Sequence, residues 1–495
     1  MAAHQAGRYQ AADAAYAAVL RVAPDQPRAL RLRGILKREL GDLAGSAALL
    51  RRAADAAPAS ADAMAELALT HLAAGDLELA ETALRRARSR GPCPKAVANL
   101  GALLQYRGHL AEAELLYREY LAAEPGDSEI RCNLISTLLD AGRGDLALGE
   151  CEVGALAAAG DPAVEAARGA VLLALERATE ALGPLRAALE QAPGDDLAAV
   201  NLAVALAETG DPASARQVLE GAVARNPDNA RATADLMSLR AGDGDPVAAV
   251  ALGRAFLARH PGERLVVAAL GYALWDAGDD AAAGRLLGFG AGNEVLVQVF
   301  EPGSLPAPHP GAGHGAIAAR LAADPTLASA PVSKATRGGG QTGELYLHRE
   351  RDLAPLDDYL RAAVAAYVAR VTAAGFAAEP AMAGAATTFS LRAWGTVLPA
   401  GGVQLPHQHP LGWLSAVYYV ALPQDLRACD DPQAGWLEFG PPPPRYRFRR
   451  QVPVVRIEPR VGNLVMFPSY LYHGTRPFTA PGERISVAVD VMPRR

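Results

Sequence analysis

The sequence predicts a chain in two structural classes: an α-helical repeat solenoid over residues 1–290, a linker over 291–330, and an antiparallel β-sandwich or small barrel over 331–495. Three observations predict it. Glycine recurs every 34 residues through the first part, the recurrence stops where Pro, Gly and His accumulate near residue 301, and from about residue 386 short β-type runs alternate with turn residues. A length of 495 residues also exceeds what a single hydrophobic core holds.

The glycine ladder consists of Gly7, Gly41, Gly75, Gly108, Gly142, Gly210, Gly244 and Gly278, with one slip of a residue and one empty rung at Glu176. Five residues after each rung stands a small residue: Ala12, Ser46, Ala80, Ala113, Ala147, Ala181, Ala215, Ala249 and Ala283. Seventeen residues after it a proline recurs, at Pro24, Pro58, Pro92, Pro125, Pro193, Pro227 and Pro261. Each feature has a task in a pair of helices. Glycine permits the tight turn between them, the small residue lets them approach, and proline ends the second helix. Units of this period and punctuation resemble the tetratricopeptide repeat, which implies a superhelical solenoid with a concave face that binds a protein or peptide. Nine residues before three rungs stand Asn99, Asn133 and Asn201, with Glu66 and Asp235 at equivalent places. In the repeat family this position faces the groove, where a row of amides would hold an extended peptide backbone. Asparagine is also simply common at that consensus position, so both readings stand.

In the linker, His309 and His314 read as loop residues, because five-residue spacing in a Pro/Gly segment suits a metal poorly. The segment SKATRGGGQTGELYL (333–347) reads as a glycine-rich turn feeding a short strand. It lacks the Gly-Lys-Ser/Thr ending of a phosphate loop, so nucleotide binding is not expected. An amphipathic helix follows at 353–375. The strand candidates after it are TTFSLRAWGTVL, WLSAVYYVAL, GWLEFG, VPVVRIEP, GNLVMFPS and RISVAVDVM.

The residues that carry chemistry are His407 and His409 in VQLPHQHPLGWL, a distant His473 in FPSYLYHG, and Arg484 with Ser486 in RISVAVDV. Alternate residues of an extended chain share a side, so the two close imidazoles can converge on one point. An arginine and a serine directed inward from an apolar strand are costly to bury unless an anion meets them. Together, HQHPLGWLSAVYYV, GWLEFG, PRVGNLVMFPSYLYH and RISVAVDV resemble a family of 2-oxoglutarate/iron(II) oxygenases with a double-stranded β-helix (jelly-roll, cupin-like) fold. One departure is Ala416, where that family has glycine. The resemblance implies that His407, His409 and His473 hold Fe(II), leaving room for 2-oxoglutarate and O2. It implies that Arg484 and Ser486 bind the distal carboxylate of 2-oxoglutarate. Tyr418 or Tyr419, whichever faces inward, adds a phenolic hydrogen bond, with Tyr419 the assignment adopted. Trp394, Trp413 and the Phe467–Pro468 pair would wall the site against water.

The common oxygenase triad has an acid where His409 stands, which leaves three ligand sets open: three histidines, two histidines with water, or two histidines with an acid from elsewhere, for which Asp490 shares strand parity with Arg484. Three histidines are also a zinc set, and the Arg-x-Ser pair is what favours iron. The expected activity is hydroxylation of a protein or peptide recruited by the repeats. The alternatives are the same chemistry on a small molecule, with the repeats used for assembly, and a non-catalytic scaffold with a degenerate barrel.

Composition adds exclusions. A formal net charge of −6 gives no reason to expect a nucleic-acid or anionic-membrane partner. No apolar run reaches the roughly 18 residues of a membrane span, and Cys93, Cys132, Cys151 and Cys429 form no CxxC pair. These features lead to the expectation of a cytoplasmic protein with no membrane partner.

Overall fold

The computed structural model of the chain describes residues 2–91, 93–288, 293–329, 335–349, 351–379, 382 and 388–493. Pro92, Ser333 and Lys334, singled out above, lie outside the described residues. The chain forms two compact units, Met1–Thr137 and Leu138–Arg495.

The repeat pattern becomes helix pairs in both units. In the first, Pro27–Glu39 pairs with Leu43–Ala56 across Gly41, and Asp62–Ala74 with Leu77–Arg88 across Gly75. In the second, Asp196–Glu208 pairs with Pro212–Arg225 across Gly210, Ala230–Gly242 with Pro246–Arg259 across Gly244, and Arg264–Asp276 with Asp280–Leu287 across Gly278. All eight ladder glycines adopt positive φ, between 69° and 95°. That conformation is nearly free for glycine and strained for other residues. The empty rung keeps it: Glu176 has φ 59°, the one non-glycine residue with positive φ among the described residues.

The small residues five positions on are at most 1% exposed in every repeat, as close packing of paired helices requires. Pro24, Pro58, Pro125, Pro193, Pro227 and Pro261 each directly follow the residue that caps a second helix. Asp42, Asp195, Asp211, Asn229, Asp245 and Asp279 cap helix starts with side-chain oxygens that accept backbone N–H bonds. No helix among the described residues is long and apolar enough to cross a membrane.

Among the described residues, the rest of the second unit contains twelve strands: β1 Gln298–Phe300, β2 Ala328–Ser329, β3 Thr336–Arg337, β4 Gly340–Gln341, β5 Phe389–Leu398, β6 Val403–His407, β7 Leu414–Ala421, β8 Leu437–Phe439, β9 Val455–Ile457, β10 Leu464–Pro468, β11 His473–Thr475 and β12 Arg484–Pro493. They form two antiparallel sheets, ordered β1-β10-β7-β12-β5-β4-β2 and β3-β6-β11-β8-β9. The six strand candidates of the sequence correspond to β5, β7, β8, β9, β10 and β12. β1 falls inside the stretch read as a linker, yet it pairs with β10 in the larger sheet. The glycine-rich segment passes the chain from one sheet to the other, since β3 pairs with β6 and β4 with β5, and Gly338 turns the corner at φ 64°. The helix Ala354–Ala373 buries Leu356, Tyr359, Leu360, Val364 and Tyr367 in the core, with the Tyr367 hydroxyl donating to Leu296 O at 3.0 Å.

Candidate metal centre and the buried face beside it

Two of the three histidines face each other across paired strands. His473 on β11 lies opposite His407 on β6, and His473 also lies opposite Phe439 on β8. His409 follows in the turn after β6, where its N–H donates to Ser469 O at 2.8 Å and its carbonyl accepts from Gly412 N–H at 3.1 Å. One ring nitrogen of each imidazole lies within 4.8 Å of the others.

The Nδ1 atoms are already committed. That of His407 donates to Leu405 O at 2.8 Å, that of His473 to Leu471 O at 2.9 Å, and that of His409 to the Asp490 carboxylate at 2.7 Å. Each acceptor is an oxygen, so each Nδ1 carries the donated proton, and Nε2 is the atom left for a lone pair in the neutral ring, the tautomer a metal ligand needs. Burial also keeps two of the rings neutral. It pushes His407 down to about 3, with the neighbouring His409 adding to the effect, and holds His473 well below the usual range, with His407 and His409 adding to it. Asp490 stands behind His409, and its Oδ1 also accepts the Ser415 hydroxyl at 2.7 Å.

Register defines the face beside these rings. Directly opposed residues of an antiparallel pair share a face. Ser486 lies opposite Thr396 and Tyr419, Ala488 opposite Trp394, Asp490 opposite Ser415, and Ser415 opposite Phe467. Arg484 and Ser486 therefore share one face with Trp394, Thr396, Tyr419, Asp490, Ser415 and Phe467. Trp394 comes within 5.4 Å of the His409 ring, and Phe467 within 4.7 Å of both His473 and Phe439, so aromatic rings wall the three imidazoles.

That face holds polar groups without partners. Arg484 is fully buried; its Nε donates to Gly435 O at 3.2 Å, while both terminal nitrogens have no hydrogen-bond partner among the described residues. The Tyr419 hydroxyl, the Thr396 hydroxyl and the Trp394 indole nitrogen are buried and unpartnered as well. Burial pushes the Tyr419 phenol up and the Arg484 guanidinium down. Each is drawn partly back by the other, though the pair lacks hydrogen-bond geometry and the guanidinium carbon sits 5.0 Å from the ring centroid. Such groups cost on the order of 1–3 kcal/mol each when unmet, so a face that gathers them is shaped for a ligand with acceptor oxygens. The donor set thus fits an anion at Arg484, and the three Nε2 atoms fit a divalent metal.

Other candidates fall elsewhere. Tyr418 faces the opposite side of β7, where its hydroxyl meets His314 Nε2 at 2.6 Å. His309, half-buried rather than in a free loop, meets Gly462 O at 2.9 Å through Nε2. Both imidazoles are drawn in by the phenol and by a free carbonyl. Trp413 is buried and its backbone N–H donates to Val491 O at 2.8 Å. Asn99, Asn133 and Asn201 are half-buried on Pro94–Tyr106, Ser128–Asp140 and Asp196–Glu208. Asn99 spends an amide proton on Lys95 O of its own helix at 2.7 Å. Glu66 is bound by Arg38 at 2.8 Å and Lys95 at 2.5 Å, and Asp235 by Arg231 at 2.9 Å. Thr396 and Phe439 escaped the sequence reading. Thr396 shares strand parity with Trp394, which is the one local signal that could have found it.

Comparison with known proteins agrees with both parts. Residues 392–490 match the family model described as "Putative 2OG-Fe(II) oxygenase". Tetratricopeptide-repeat models match residues 1–61, 34–96, 65–128 and 172–238. Among solved structures, a tetratricopeptide repeat protein from Parabacteroides merdae is 17% identical, with 46% of this chain and 91% of that chain covered at a TM-score of 0.37. A thermophilic TPR protein from Thermus thermophilus is 23% identical, with 36% and 98% covered at a TM-score of 0.31. No match was found among curated proteins. The chain is thus a tetratricopeptide-repeat array in its N-terminal region, followed over residues 392–490 by a domain matching the "Putative 2OG-Fe(II) oxygenase" family.

Proposed function

We propose that this chain is an iron(II)- and 2-oxoglutarate-dependent oxygenase that hydroxylates a protein or peptide brought to it by the repeats. The observation that carries the reading joins the two sheets: three imidazoles at β6, the turn after it and β11, each with a ring nitrogen within 4.8 Å of the others, and on β12 of the larger sheet a buried arginine whose two terminal nitrogens have no partner among the described residues.

In this reading His407, His409 and His473 hold the iron. Asp490 orients His409 and adds negative charge behind it, so the first sphere needs no carboxylate of its own. Arg484 receives the distal carboxylate of 2-oxoglutarate as a two-pronged donor, with Tyr419 and Thr396 supplying hydroxyls and Ser486 on the same face. Trp394, Phe439 and Phe467 exclude water from the centre. Iron(II) bound there supplies the O2 chemistry that couples oxidative decarboxylation of 2-oxoglutarate to oxidation of a substrate. The repeats supply binding energy remote from the reacting atom, which suits a long substrate.

The test is succinate release from 2-oxoglutarate by the purified protein with iron(II) and ascorbate, beside His473→Ala and Arg484→Ala. The reading expects succinate from the parent and none from either variant. A parent that binds neither iron nor 2-oxoglutarate would overturn it.

A further inference from the structure

The segment Pro441–Gln451 crosses the first helices of the last two repeats, and its contacts recur at fixed distances before the glycine rungs. Before Gly278, Tyr272 stands six residues back, Trp275 three and Asp276 two. The Tyr272 hydroxyl donates to Gly440 O at 2.6 Å and its ring stacks on Phe448 at 5.1 Å. Trp275 Nε1 donates to Gln451 O at 3.2 Å, and the Asp276 carboxylate accepts the backbone N–H groups of Arg449 and Arg450 at 2.8 and 2.7 Å. Before Gly244 the same places hold Ser238, whose hydroxyl oxygen accepts the Arg447 N–H at 2.8 Å, and Gly242, where a Cβ would come within 2.7 Å of the Arg447 carbonyl oxygen. The groove thus holds the stretch Arg447–Gln451 largely by its main-chain groups, using whatever stands six and two residues before each rung.

One repeat earlier, before Gly210, the corresponding residues are Val204 and Glu208. They line a pocket of about 280 Å³, bounded on its far side by Arg445 and Arg447, that the segment leaves unfilled. Glu208 is the counterpart of Asp276, and its carboxylate makes no hydrogen bond or ion pair among the described residues. Asp235 in the same wall is neutralised by Arg231, whereas neither Arg445 nor Arg447 joins an ion pair among the described residues. Glu208 feels the charge of Arg445 without pairing with it, and with Asp235 held by Arg231 this leaves Arg447 unopposed, so the net charge of the lining is positive.

We propose that this pocket binds an extended peptide segment of a partner protein, with its backbone N–H groups on Glu208, an apolar side chain among Val204, Ala207 and Leu239, and an acidic side chain against Arg445 and Arg447. The site continues the track that Pro441–Gln451 follows over the next two repeats. It deepens the protein-substrate reading above and rests on it only in assigning the peptide to a substrate.

The probe is a phage-displayed library of random nine-residue peptides selected on the full-length protein. Enriched sequences are then synthesised and titrated against the parent, Glu208→Gln, Arg445→Glu and Arg484→Ala. Enriched peptides carry Asp or Glu, and they bind Glu208→Gln and Arg445→Glu about tenfold or more weakly, the scale of one lost charged hydrogen bond or ion pair. Glu208 and Arg445 are exposed, so neither change threatens the fold. Binding to Arg484→Ala stays at the parental level, even in protein that releases no succinate, which separates this site from the oxygenase chemistry. No enrichment, enriched peptides without acidic residues, or equal binding to all four proteins would each overturn the proposal. So would an oligomer of the parent that Arg445→Glu dissolves, because the occupant would then be a second copy of the chain.

Discussion

Asp490 lies behind His409, and replacing it tests whether the proposed three-histidine centre draws its negative charge from there. His409 Nδ1 and the Ser415 hydroxyl both donate to the same carboxylate oxygen, each at 2.7 Å. Asp490→Asn keeps an oxygen that can accept both bonds, removes the charge and turns the other carboxylate oxygen into an N–H donor. Asp490→Ala removes the acceptor, frees the His409 ring, and leaves the Ser415 hydroxyl, 2% exposed, without its partner. A hydrogen bond to a charged group contributes on the order of 1.5–3 kcal/mol. Loss of a partner behind a metal-bound histidine typically costs about 10–100-fold in affinity, or about 1.4–2.8 kcal/mol. The two ranges overlap, so Asn should weaken metal binding by roughly tenfold and Ala by roughly a hundredfold. Ala should also lower stability by about 1–3 kcal/mol through Ser415, while Asn should not. The assay is calorimetric titration of metal-free protein with cobalt(II), with His473→Ala as the variant that should bind least, and a urea melt of each protein. If both Asp490 variants bind cobalt(II) like the parent while His473→Ala does not, the backbone bonds at Ser469 and Gly412 hold His409 unaided and the argument fails.

Filling the empty rung should stabilise the repeats: Glu176→Gly relieves a left-handed conformation that costs roughly 1–2 kcal/mol and gives back part of it in unfolded-chain entropy, for a net gain of about 0.5–1 kcal/mol in a urea melt. Arg484→Lys keeps the charge but loses the fork and the Nε bond to Gly435, so equilibrium binding of 2-oxoglutarate should weaken about tenfold or more. Acid should weaken the unit Met1–Thr137 through Glu66. Burial alone would raise this carboxyl, yet Lys95 and Arg38 outweigh it and hold it below the usual range. A depressed acid contributes stability that is complete above its unfolded value near 4.5 and is lost as pH falls through the folded one. Urea melts of the parent should therefore drop between about pH 5 and pH 3, and Glu66→Gln should flatten that part of the drop.

What could be read from the sequence follows from how local each signal is. The glycine rungs were legible because a 34-residue period imposes the same turn on every unit, and even Glu176 obeys it. Arg484 and Ser486 were legible because alternation along one strand needs no partner. The choice between Tyr418 and Tyr419 was not, because the turn from His409 to Gly412 breaks the count of alternate residues between the histidines and β7. Only the pairing of Ser486 with Tyr419 decides it. Thr396 and Phe439 depend on cross-strand register over tens of residues, which composition does not carry. Parity along β12 offers Asp490 as an acid near the site, but its place against His409 Nδ1 depends on where the turn after β6 puts the ring.

Pro441–Gln451 also bears on how the role of the repeats should be tested. A fragment beginning near residue 300 would seem the direct way to ask whether the chemistry needs them, but the last repeats support the strands that carry the histidines. Gln408, between His407 and His409, donates to the Tyr472 hydroxyl at 2.9 Å, and Tyr472, next to His473, packs on Tyr272 and Tyr446. Tyr470, fully buried, donates to Leu286 O at 2.7 Å. Removal of Tyr272 and Leu286 would bare these rings to water, at a cost of several kcal/mol. Loss of activity in such a fragment would then report damage to the candidate metal site rather than loss of a substrate. A cut at Leu138, between the two compact units, keeps every one of these contacts. The fragment Leu138–Arg495 should bind cobalt(II) within about twofold of the parent, whereas one starting near residue 300 should bind it at least tenfold more weakly or aggregate. Parental cobalt(II) affinity in the shorter fragment would show that the histidine strands stand without the solenoid, and that the contacts through Tyr472 and Tyr470 contribute nothing to the site.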